Sequence, residues 1–163
     1  EASENNAIFA DIKRGKDTLR VYSIHLESVR VTDDVGKIEK DLQHVTQDRS
    51  KKMIKRMSES FKQQQSQAEQ IQKHREHCQY PIIICGDLNN SAFSYVYRTV
   101  KGDLNDAFES RGKGFGKTYK FKYYPARIDY IFVDDFFEIK EFNTFSDFIN
   151  SDHMPIMTRL NIR

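Results

Sequence analysis

The chain has 163 residues, 38% of them hydrophobic and 12% aromatic, with 26 Lys and Arg against 24 Asp and Glu for a formal net charge of +2. This length and apolar content suit one folded domain with its own core, and the near-balance of charge excludes a protein that holds nucleic acid by basic excess alone. Two cysteines are too few for a disulfide framework and read as free thiols, and no apolar run reaches the roughly 20 residues that a membrane helix needs.

The opening "EASENNAIFA" lacks the basic start and apolar middle of a signal peptide, and with no initiator Met the chain reads as an excerpt of a longer one. Residues 7–11 alternate in part and "TLRVYSIHL", 18–26, is rich in β-branched and aromatic residues. The "KRGKD" turn signal between them predicts an antiparallel hairpin. From 37 to 80 Gln, Lys, Glu and Arg dominate. Ile54, Met57, Phe61, Ala68, Ile71 and Cys78 recur there at three- and four-residue steps, which predicts an amphipathic helix over 48–78, with a helical turn or lid over 37–45 before it. Its polar run "SFKQQQSQAEQIQKHREH" is read as a solvated helix face rather than a nucleic-acid arm. Pro81 stops the helix, 82–85 is a buried strand, and 93–100 is a short helix. "DAFESRGKGFGKTYKFKYYPA" is an irregular loop rich in glycine and aromatics, "RIDYIFVDD" and "FEIKEFNTF" are strands, and "SDHMPIMTRLNIR" is a loop feeding a last strand. Paired strands interrupted by one long and one short helix predict a layered α/β or α+β domain.

Polar residues cluster at the strand ends: His25, Asp87 with Asn89, Asp129, and Asp152 with His153. Each alone has an ordinary role open to it, as turn residue, helix cap or, for Asp129, ion pair with Arg127. Acids and imidazoles set among apolar residues face a desolvation cost unless they pair or hold a metal. Together they supply a carboxylate to activate water, an amide donor and an Asp-polarised imidazole, which are the parts needed to attack phosphorus. No serine sits in a glycine elbow, and no cysteine and histidine form a nucleophile motif. The spacing of Cys78, Cys85 and the "HREHC" histidines does not suit a zinc site.

"GDLN", "RIDYIFV" and "SDHMPI", in that order, resemble the C-terminal motifs of the endonuclease/exonuclease/phosphatase superfamily, the deoxyribonuclease-I-like enzymes. Upstream, "NNAIFADI" and "LRVYSIHLES" resemble that family's strand pair ending in its Asn-Thr-His-Leu motif, so the likeness runs over residues 5–163. The resemblance implies an α/β (α+β) layered sandwich of the DNase-I-like type, a single domain over 1–163 incomplete at its N-terminus, its N-terminal strands missing. It implies a metal-dependent phosphoesterase in which Asp87 activates water and Asn89, His25 and His153 hold the phosphate. Asp129 would orient His153, and Asp152 would sit by Mg²⁺ or Mn²⁺. Asp106, Thr118 and Tyr119 fall where the family often carries polar residues, and Tyr119 is assigned to substrate binding.

Two departures accompany the likeness. Ser23-Ile24-His25-Leu26 lacks the motif's Asn and Thr, and the family's early Asn and metal-binding Glu would lie before Glu1. The chain alone is therefore expected to be weak or inactive, with exposed sheet surface through which it self-associates. A non-catalytic binding domain that keeps the fold is the alternative. The substrate is a phosphate ester of nucleic acid, phospholipid or small-molecule type. Lys113, Lys117, Lys120 and Lys122, among Phe115, Tyr119, Phe121, Tyr123 and Tyr124, suit a nucleic-acid contact or a loop packed on its own aromatics.

Overall fold

The centre of the molecule is a strand with no polar face. In β3 (Ile82–Asp87) the isoleucines Ile82 and Ile84 turn to one side and Ile83 and Cys85 to the other. A strand apolar at successive positions is stable only when both faces are covered. The computed structural model describes residues 5–29, 47–122 and 124–163. The predicted turn or lid at 37–45 and Tyr123 lie outside the described residues.

β1 (Asn6–Arg14) and β2 (Asp17–His25) form the predicted hairpin, turning at Gly15 with φ 64°. β2 runs parallel to β3, and β5 (Asp129–Val133) pairs antiparallel on its other side. The short β4 (Asn105–Asp106) completes a five-stranded sheet of order β1-β2-β3-β5-β4. β6 (Phe137–Thr144) and β7 (Ile156–Ile162) make a second, two-stranded antiparallel sheet.

Two cores follow from the alternation of side chains across the large sheet. Tyr22, Ile24, Leu26, Ile84, Tyr130 and Phe132 pack under α1 (Gln47–Arg75) and α2 (Tyr95–Lys101). On the other face Leu19, Ile131 and Val133 meet Phe137, Ile139 and Phe142 of the second sheet. Helices, large sheet and small sheet form the layered α/β arrangement expected from the sequence. Complete burial of side chains such as Ile84 and Phe132, each 1% exposed, contributes about 2 kcal/mol apiece.

α1 ends at Arg75, three residues before the predicted end. Its buried stripe is Gln64, Ala68, Ile71 and Arg75, so two of its four members are polar. Arg75 bonds Lys101 O and Asp103 beyond α2. Ile54 and Phe61, expected on the core side, remain 62% and 43% exposed. α2 forms as predicted, capped by the Ser94 side chain on Tyr97 N.

The segment expected to be wholly irregular begins instead with a helix, α3 (Ala107–Arg111). Asp106, 2% exposed, accepts from the backbone N–H of Phe108 and Glu109, satisfying donors that a helix start leaves open. A helix of five residues is too short to print a period in sequence.

Candidate active site

Strand register assembles the first part of the site. His25 on β2 lies opposite Asp87 on β3, and Asp87 lies opposite Asp129 on β5, so the three occupy one row across the sheet. Gly86 makes this row possible. A Cβ built there would stand 1.9 Å from Ile24 O, and its φ is 154°, so no other residue fits beside β2. Past the row, Leu26 N donates to Asp87 O at 3.0 Å and Leu88 N to Ile128 O at 2.9 Å, which carries the pairing into the loops.

His153 arrives from the loop before β7. Tyr119 and His153 form an isolated antiparallel bridge, with Met154 N donating to Thr118 O at 2.7 Å and Lys120 N to Asp152 O at 2.8 Å. Lys120 Nζ spans Phe148 O and Ser151 O, fixing the same loop from its side chain. The His153 ring lies 4.9 Å from that of Tyr119. His153 Nδ1 lies 3.0 and 3.2 Å from the two oxygens of Asp129. A carboxylate only accepts, so Nδ1 carries the hydrogen and Nε2 faces the opposite way. Asp129 is held in turn by Thr118, 1% exposed, whose Oγ1 accepts from Ile128 N and Asp129 N.

His25 Nε2 and His153 Nε2 each lie 3.9 Å from Asp87 Oδ2. That spacing is too long for a direct hydrogen bond and leaves room for a small group between the three side chains. Burial raises the pKa of Asp87 to about 6, with the Asp129 charge adding to the rise, while the Asn89 N–H, His153 and His25 oppose it. The hydrogen bond that His153 donates to Asp129 chiefly raises His153 above the ordinary imidazole value, with help from the charges of Asp129, Asp87 and Asp152. The two shifts set a carboxyl with raised proton affinity beside an imidazole that holds its proton more firmly than an ordinary one.

Asn89 is tied to both neighbours. It adopts φ 47°, the left-handed region that asparagine tolerates. Its backbone N–H donates to Asp87 Oδ1 at 2.7 Å, and its side-chain amide donates to Leu26 O at 2.9 Å. That amide has two N–H groups, so one remains beyond the Leu26 bond.

The structure therefore brings together His25, Asp87, Asn89, Asp129, His153 and Tyr119. Asp152 is exposed at the rim. Among the described residues, the trio whose ligating atoms lie within 4.8 Å of one another is Asp87, Asp129 and His153, and Asp152 stands outside it. Arg127 does not pair with Asp129; it bonds Asp106 at 2.6 Å and stacks on Phe108 and Tyr130. Gln64, at the edge of the site, was read in sequence as solvated, yet it is 0% exposed. Only its place on the i, i+4, i+7, i+11 stripe with Ala68, Ile71 and Arg75 marks it as interior.

Helices over a mixed sheet, a second sheet beneath, and an acid–imidazole site at the strand ends define a DNase-I-like α/β protein. Residues 24–153 match the Endonuclease/Exonuclease/phosphatase family, and the chain belongs to that family. Solved structures agree in fold. An endonuclease/exonuclease/phosphatase family protein from Bacteroides thetaiotaomicron superposes with TM-score 0.63 at 18% identity, over 94% of this chain and 54% of its own. The mannosyl-6-phosphatase of the same organism gives 0.57 at 17%, over 97% and 57%. The human Nocturnin catalytic domain with bound sulfate gives 0.62 at 15%, over 99% and 54%. The chain thus spans little more than half the length of these structures. None of the curated proteins matches it in sequence.

Proposed function

We propose that this site hydrolyses a phosphate ester by direct attack of water. The observation that carries the reading is the convergence of two imidazole Nε2 atoms on one oxygen of a carboxylate, each at 3.9 Å. Asp87 takes a proton from water as the water oxygen bonds to phosphorus. The ester P–O bond breaks, and the departing alkoxide is protonated by solvent. His153, aligned by Asp129, and His25 donate to the phosphoryl oxygens, where negative charge builds up. The second N–H of the Asn89 amide donates to the same oxygens, and Tyr119, its ring tilted against that of His153, contacts the substrate.

Carboxylate oxygens are the donors that suit a divalent cation such as Mg²⁺ or Mn²⁺. Asp87 and Asp129, with Asp152 beside them, would hold it through their oxygens, which leaves the His153 Nε2–H to donate to the phosphoryl group. Such an ion, when bound, neutralises charge on phosphoryl and leaving oxygens. The substrate is a phosphate ester of nucleic acid, phospholipid or small-molecule type; support for this class comes from the family and from neighbours that include a phosphatase and a domain holding sulfate.

The test is hydrolysis of aryl phosphodiester and phosphomonoester substrates with Mg²⁺ or Mn²⁺, comparing the chain with Asp87→Asn. Slow, metal-dependent turnover that vanishes in the variant is the expected result. Turnover that survives the substitution, or none under either metal from the chain and from the N-terminally extended protein beside it, overturns the proposal.

A further inference from the structure

We infer that Gln64, on the long helix, is a positioning residue that staples together the two loops carrying His25 and Asp87; the inference rests on the phosphoesterase reading. A glutamine at 0% exposure inside a helix-to-sheet interface is costly to bury unless each polar atom is used. Here both ends of the amide are used. Its Nε2 donates to Glu27 O at 2.6 Å and to Asn89 O at 3.2 Å, and its Oε1 accepts from Asn90 Nδ2 at 2.8 Å. One side chain on α1 thus reaches the loop after β2 and the loop after β3.

What it ties down decides the geometry of the site. Glu27 lies two residues past His25. Asn89 is the residue whose N–H holds Asp87 Oδ1 and whose left-handed backbone aims its side-chain amide at Leu26 O. An asparagine at positive φ keeps that conformation only where its surroundings hold it, and the Gln64 bond to Asn89 O is part of that hold. Tyr130 adds a second tie by donating to Asn90 O at 3.0 Å from β5. Gln67 makes a weaker version of the first, accepting from Glu27 N at 2.9 Å without reaching the Asn89 loop.

This division of contacts gives the test its control. Gln64→Met keeps most of the volume and removes the amide. Gln67→Met touches only the loop after β2, and Asn90→Ala removes one staple bond while leaving the helix intact. For the full chain, amide resonances and hydrogen exchange are read by NMR, and kcat and KM are read with an aryl phosphodiester. Gln64→Met is expected to move the Asn89 amide proton upfield and to speed exchange at both 26–29 and 88–91. Its kcat should fall on the order of tenfold with KM nearly unchanged, the signature of reacting groups slightly misplaced. Gln67→Met should loosen 26–29 alone. Asn90→Ala should loosen 88–91 with a smaller loss of kcat, and it carries the test if Gln64→Met does not fold.

A folded Gln64→Met with both loops unchanged overturns the staple. Loosened loops with unaltered kcat reduce Gln64 to a structural residue and also overturn the inference. If neither the wild-type chain nor its N-terminally extended form hydrolyses the ester, the phosphoesterase reading alone falls, and the staple is then decided by the resonances and exchange.

Discussion

The five-stranded sheet is finished in opposite ways at its active end and along its β1 margin. Where β2, β3 and β5 present His25, Asp87 and Asp129, each of these side chains is half-buried or set against another group of the site, and the loops beyond are bonded to one another. Along β1 all nine residues are exposed. Ile8, Phe9 and Ile12 are 64%, 49% and 47% exposed, and no strand pairs with the outer edge among the described residues. Below that margin a cavity of about 430 Å³ opens between Phe9, Tyr22, Ile71 and His74. β1 carries apolar residues on both faces, as an interior strand does, yet stands at an edge. The chemistry of the site is therefore assembled by contacts among the described residues, whereas burial of the sheet is not completed by them.

The sharpest way to break this contrast is at Asp87. Asp87→Asn should lower hydrolysis on the order of a thousandfold and, measured with a chelator present, make the protein more stable at pH 8. The sign follows from the raised pKa. Between 3.8 and about 6 the folded carboxyl keeps a proton that the unfolded chain has lost, so its contribution to stability falls as pH rises through that window and stays low above it. Thermal unfolding should show a gain of about 2 kcal/mol for the variant at pH 8 and none below pH 4.

Asp129→Asn should reduce kcat on the order of a hundredfold, since His153 loses the partner that sets its tautomer. The same bond raises the His153 pKa, so the alkaline limb of the pH–rate profile should move to lower pH. A limb that stays in place removes His153 from the role of donor. Thr118→Val is next in size. It strips the acceptor from two backbone N–H groups, Ile128 and Asp129, and should cost about 2 kcal/mol in denaturant unfolding.

The smallest effect on stability is expected on the open margin. Ile8→Lys with Ile12→Lys should change unfolding free energy by less than about 0.5 kcal/mol each. It should also abolish the concentration-dependent self-association that we propose for this edge, read by sedimentation velocity. A large loss of stability would mean that β1 is covered in solution.

The sequence disclosed these regions unequally, for physical reasons. The "IIIC" run of β3 and the apolar run in "RIDYIFV" were legible because burial on two faces leaves a direct trace in residue type. Asp87, Asp129 and His153 stood out because acids and imidazoles among apolar residues are rare without a purpose. Gln64 and Arg75 were hidden, since a buried polar residue satisfied by distant backbone looks like any solvated position on a helix. Ile54 and Phe61 misled in the opposite sense: they follow the helical period along a part of α1 that reaches no core among the described residues. The pairing of Arg127 with Asp106 rather than Asp129 was equally out of reach, because it depends on contacts between residues far apart in the chain.

One residue beside the site has a practical consequence. Cys85, paired across from Ile131 and packed between the two sheets, is a thiol whose pKa burial pushes up to about 11. At neutral pH it is protonated and only partly buried, so alkylation is slowed by the scarcity of thiolate and quickened by any further parting of the layers. With Cys78 replaced by serine, a change in the labelling rate at Cys85 reports a change in how the sheets pack two residues from the proposed base.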